Sequence, residues 1–83
     1  MYYLEEGDDV KLRFVSDSII EVFESEDAEL DSPVEERFRA GEEIEGTLFG
    51  ADSIKLDFQF LDGSVAFIHR DQVEVVEIND EPV

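Results

Sequence analysis

Ile54-Lys55-Leu56-Asp57-Phe58-Gln59-Phe60-Leu61-Asp62-Gly63-Ser64-Val65-Ala66-Phe67-Ile68-His69 is the stretch that decides the fold. From Ile54 to Phe60, apolar and polar residues alternate without a break, the period of a strand with one buried face. Asp62-Gly63 is a two-residue hairpin signal, because both central residues of a type I′ turn need positive φ. Val65 to His69 then returns as the second strand. A turn at those two residues sets Phe60 opposite Val65, Phe58 opposite Phe67 and Leu56 opposite His69 on one face. Gln59 with Ala66 and Asp57 with Ile68 share the other. The first face is the expected core, with His69 at its end.

The same grammar extends outward. Ile44-Glu45-Gly46-Thr47-Leu48-Phe49 reads as a strand and Gly50-Ala51-Asp52-Ser53 as a turn. Arg70-Asp71-Gln72 is a short link, and Val73 to Ile78 closes with a further strand. The tail, residues 79–83, is expected to fray. Upstream, Val10-Lys11-Leu12-Arg13-Phe14-Val15 alternates and turns Lys11 and Arg13 outward. Residues 16–31 leave two readings open. Ser18 and Glu21 have the spacing of a capping box, and Ile19, Phe23 and Leu30 fit a helical stripe. The β-branched and aromatic run Ile19-Ile20-Glu21-Val22-Phe23 favours a strand over 18–24, paired back on 10–15. Pro33 disfavours a helix through Ser32. Residues 25–36 read as a long, solvated acidic loop with room for a short helix.

Eighty-three residues, 42% of them apolar, suffice for one domain over 1–83 and exceed what a disordered acidic tail carries. Seven Phe and nine Val against four Ala lean the chain toward strands. With no Cys, disulfides and thiolate metal sites are excluded. No apolar run approaches ~18 residues, and Met1-Tyr2-Tyr3-Leu4-Glu5-Glu6 lacks a basic leader, so the expectation is a cytoplasmic protein.

Charge is the dominant property: 24 acids against six bases give −18. Such a surface repels phosphate backbones and anionic bilayers, which argues against direct nucleic-acid or membrane binding. It attracts cationic partners and steers their approach. Glu24, Glu26, Asp27, Glu29, Asp31, Glu35 and Glu36 form the densest acidic run, and Glu42, Glu43 and Glu45 are candidates to extend it. They are the expected contacts for a basic protein, in the manner of a nucleic-acid mimic that occupies a basic groove. Two other readings of the charge stay open: adaptation to high salt, and a small subunit or adaptor of a larger bacterial assembly.

From Arg39 to Glu77 the pattern resembles a small Src-homology-3-like β-barrel of the KOW or Tudor sort. The residues that carry the resemblance are Gly41 to Gly46, Ile54 to Phe60, Asp62-Gly63-Ser64, Phe67-Ile68 and Arg70 to Val76. It implies an all-β, mainly antiparallel barrel of five or six strands, with residues 9–15 as the opening strand and 16–42 as an expanded first loop. Barrels of this class are commonly interaction modules. The chain has no Trp, its two Tyr are Tyr2 and Tyr3, and it lacks a basic rim, so the usual aromatic cage, proline groove and RNA surface have little to build on.

Nothing in the residues assembles a catalytic constellation. His69 is the one imidazole, with only Asp71 near it, and reads as a half-buried strand-end residue. The acids of 24–36 lack the spacing of a calcium loop. No Gly-rich phosphate loop is present. The expectation is a non-enzymatic protein without cofactor or metal.

Overall fold

The computed structural model describes residues 4–24 and 33–83. Eight strands follow in order: β1 (Asp9–Phe14), β2 (Ser18–Phe23), β3 (Val34–Phe38), β4 (Glu43–Ala51), β5 (Lys55–Phe60), β6 (Val65–His69), β7 (Val73–Ile78) and β8 (Glu81–Pro82). A single 3₁₀ turn, Arg70–Gln72, links β6 to β7. The strands form one antiparallel sheet in the order β3-β2-β6-β5-β4-β1-β7-β8.

The sheet curls around its apolar face. Leu12 and Phe14 of β1, Leu48 of β4, Leu56 and Phe58 of β5, and Ala66 and Ile68 of β6 are fully buried in one cluster with Ile20, Phe38 and Val73. Phe38 stacks on Phe14 at 4.6 Å between ring centroids, drawing the end of β3 over β1 although the two are far apart in the sheet order. Among the described residues β3 and β8 each pair on one side only, so hydrogen bonding does not close the sheet into a barrel, and the strands number eight rather than five or six.

The central hairpin forms where expected, but one residue out of register. The pairs are Phe58 with Ala66, Asp57 with Phe67, Leu56 with Ile68 and Lys55 with His69. The turn is the cause. Gly63 donates to the Phe60 carbonyl (3.0 Å) and Phe60 to that of Ser64 (2.8 Å), enclosing a three-residue loop, Leu61 to Gly63. Within it Gly63 alone has positive φ, +94°. That is a type I-like turn closed by a left-handed glycine, not the type I′ turn expected. Asp62 Oδ1 holds it by accepting from the Ser64 hydroxyl (2.6 Å) and amide (2.9 Å). A one-residue slip reverses every side chain of the returning strand. Ala66 and Ile68 go inside, while Phe67 and His69 go out. The core favours this register, because Ala66 leaves room opposite Phe58, whose ring meets Phe60 edge-on at 4.9 Å.

A two-residue turn with both φ positive does occur, at Asn79 (51°) and Asp80 (67°). Asn and Asp tolerate this region better than other side chains. The turn sets Ile78 against Glu81, so the tail expected to fray is the last strand of the sheet. Asn79 also ties back to β1: its Oδ1 accepts from the Asp9 amide (2.9 Å), and its own amide donates to the Asp9 carbonyl (2.7 Å).

Residues 18–23 are a strand, but β2 pairs with β3 and β6 rather than with residues 10–15. The stretch 16–42 is thus no simple loop: it carries two strands, and residues 34–36 of the expected acidic loop lie in β3.

Candidate protein-binding face

The one-residue shift creates a second aromatic cluster, on the outer face of the sheet. Phe67 of β6, 45% exposed, stands between Phe23 of β2 and Phe49 of β4, its ring centroid 5.9 and 6.1 Å from theirs and near perpendicular to both. Phe49 reaches it through a β-bulge: between the pairs Leu48–Phe58 and Gly50–Asp57 it is the extra residue. A Cβ at Gly50 beside it would meet the Asp57 carboxylate, which would have to swing aside. Lys55 lays its ammonium 5.0 Å from the Phe67 ring centroid. Ile19, 56% exposed, continues the apolar surface along β2. A shallow groove of about 290 Å³ runs between Ile19, Glu21, Phe23, Phe67, His69 and Gln72.

Carboxylates border these rings. Glu21 lies on β2 between Ile19 and Phe23 on the same face, and Asp57 faces Phe67 across β5–β6. Asp57 Oδ1 is shielded from solvent and, among the described residues, accepts no hydrogen bond; Lys55 Nζ lies 3.8 Å away. The arrangement has the composition of a contact core: aromatic residues at the centre, polar ones at the rim.

The strongly paired charges are elsewhere. On the outward side of β1, Lys11 lies between Glu45 (3.2 Å) and Glu77 (3.4 Å), and Arg13 between Glu43 and Glu74 (both 2.9 Å). Register makes these contacts, since each base stands opposite an acid on β4 and another on β7. The hydrogen bonds that Lys11 donates to Glu45 and Glu77 raise its pKa, and those that Arg13 donates to Glu43 and Glu74 raise that of Arg13. Glu43 and Glu45 are therefore engaged with β1 and do not extend the acidic run. Glu42 accepts from the Arg39 amide at the turn before β4.

Of the acids singled out in the sequence, Glu26, Asp27, Glu29 and Asp31 lie outside the described residues. Glu24 follows β2 and is exposed. Glu35 and Glu36 are exposed neighbours on β3, so they point to opposite faces and do not act as one surface. His69, expected half-buried on the core face, is exposed on the outer one.

Two turn carboxylates are tuned. Backbone N–H groups of Lys55 and Ile54 lower the pKa of Asp52, and the Ser64 hydroxyl and amide lower that of Asp62. Such groups stabilise the fold above their ordinary value of 3.8, and the contribution disappears as pH falls through the lowered folded-state values. In a ¹³C-carboxyl NMR titration both should titrate below 3.8. A midpoint at or above that value would contradict the turn geometry.

Among the described residues no group of three or more His, Asp or Glu side chains is placed to hold a metal ion. Among them, too, no helix is long and apolar enough to cross a membrane. No family model, curated protein or solved structure matches the chain.

Sequence reading missed the outer cluster entirely. Its signal was the surplus of aromatic residues: Phe23, Phe49 and Phe67 fall on three strands, and only the correct register shows that they meet.

Proposed function

We propose that this chain is a non-enzymatic, acidic interaction module that docks on a basic protein through its outer face. The observation that carries the reading is the Phe23–Phe67–Phe49 cluster, with Phe67 exposed and Phe23 and Phe49 half-buried on either side of it, bordered by carboxylates on a chain of net charge −18. Exposed aromatic clusters of this kind mark interaction surfaces on soluble proteins. The charge selects the partner's sign and speeds its approach. The fullest form of the reading is a nucleic-acid-mimicking inhibitor: carboxylates take the place of phosphates in a basic groove, and the rings supply the apolar anchor that phosphates lack. A cytoplasmic setting suits a target of that class. The Src-homology-3-like resemblance fits the same role, with β1 and β4 to β7 as the small-barrel elements and β2, β3 and β8 as additions to them.

The test is binding to a panel of purified basic nucleic-acid-binding proteins. Phe67→Ala should leave the fold intact, because the ring is already half exposed, and should weaken the tightest complex about tenfold, the loss of one interface anchor. Glu21→Lys should weaken it at least as much, because it reverses the charge beside the rings. Equal affinity of wild type and both variants would rule out the outer face.

A further inference from the structure

Strand β3 pairs with β2 along one side and, among the described residues, with nothing along the other. Its sequence, Val34-Glu35-Glu36-Arg37-Phe38, has opposite charges on either side of Glu36. Within the chain those charges are poorly matched. Glu35 lies opposite Glu21, a like-charge pair. Arg37 lies opposite Ile19 and, among the described residues, makes no ion pair. This contrasts with β1, whose two bases each have an acid on both sides.

We infer that β3 pairs with β3 of a second copy, antiparallel about a two-fold axis through Glu36. Alternation along a strand puts Glu35 and Arg37 on the same face. In this register Glu35 of each copy stands opposite Arg37 of the other, and Val34 stands opposite Phe38. Both mismatched charges gain a partner, twice over by symmetry. Shifting the axis to Glu35 or Arg37 still leaves a like pair on the axis and loses both Glu35–Arg37 pairs, so the pattern favours one register. Charges on an edge strand ordinarily block indiscriminate pairing; here they block every strand except one of complementary pattern. The remaining like pair, Glu36 with Glu36, and the net charge of each copy keep the association weak and reversible. Because the net repulsion acts at long range, it is screened before the direct contacts are. The dimer should therefore strengthen as salt rises from about 10 mM to about 150 mM, where the Debye length falls from roughly 30 to roughly 8 Å.

Sedimentation equilibrium at 150 mM salt, over protein concentrations from micromolar to millimolar, tests the pairing. Wild type should show a monomer–dimer equilibrium. Glu35→Lys alone should be monomeric, and so should Arg37→Glu alone. Mixed in equal amounts the two should form a heterodimer. The introduced lysine of one copy then faces the introduced glutamate of the other, and the retained Arg37 faces the retained Glu35. Glu36→Gln should dimerise severalfold more tightly than wild type. A wild type monomeric at every concentration would overturn the inference and leave this edge for a foreign strand. So would single variants that dimerise as well as wild type, or a mixture that stays monomeric. These outcomes read self-association alone; because Glu35 and Arg37 share a face with Glu21 and Ile19, binding at the outer face is measured separately, with Phe67→Ala.

Discussion

Phe58→Ala is expected to destabilise the fold by about 3–5 kcal/mol, the cost of truncating a well-packed core aromatic. Phe58 has no solvent exposure and is central in the core. It pairs with Leu48 on one side and Ala66 on the other, and its ring meets Phe60 edge-on. Neither neighbouring strand can collapse into the space, because both are fixed by hydrogen-bonded ladders. An 83-residue chain has on the order of 4–12 kcal/mol of total stability, so the variant should be at or near unfolding at 25 °C. Urea denaturation followed by far-UV circular dichroism measures the change. A midpoint within error of wild type would mean that this core is wrong.

Gly46→Ala should be of similar severity, about 3 kcal/mol or more, although it adds a single methyl group to a buried position. Gly46 lies in β4 between β1 and β5, opposite Val10 and Phe60. A Cβ there would collide with the carbonyl oxygen of Gln59 and come within 2.7 Å of Phe58 Cζ. The first obstacle is backbone in the adjacent strand, which cannot move aside without opening the ladder. Gly41→Ala provides a contrast. Nothing lies within 4 Å of a Cβ at Gly41, so its cost comes only from the left-handed backbone (φ +93°). Ala should therefore be worse at position 46 than at 41, and the reverse order would contradict the close approach of β4 and β5.

The alternation of Val10 to Val15 and Ile54 to Phe60, and the short link at Arg70–Gln72, made the all-β antiparallel class and most strand positions legible. The register of the central hairpin was not. It depends on whether Asp62 takes positive φ, and the side chain of Asp62 bonds to Ser64 instead, which adds one residue to the loop. That single residue decides whether Phe67 is core or surface, so the error carried directly into the site. The run of acids was conspicuous in the sequence, but strand geometry sends Glu35 and Glu36 to opposite faces. The pairing of Glu43 and Glu45 with β1 required knowing that β1 and β4 are neighbours. Rings from three strands meeting at one place is a tertiary fact, set by sheet order and by the bulge at Phe49.

The outer face is proposed to bind a basic, nucleic-acid-binding protein in place of nucleic acid. The most direct measurement is the dissociation constant of the tightest complex from the purified panel, titrated with salt and in competition with duplex DNA. The constant is expected to rise steeply with salt, DNA to displace this chain, and Phe67→Ala to weaken binding at every salt concentration by the same factor. A ring anchor is insensitive to screening, whereas the carboxylates are not. Affinity independent of salt, or a complex that binds DNA and this chain simultaneously, would contradict the proposal.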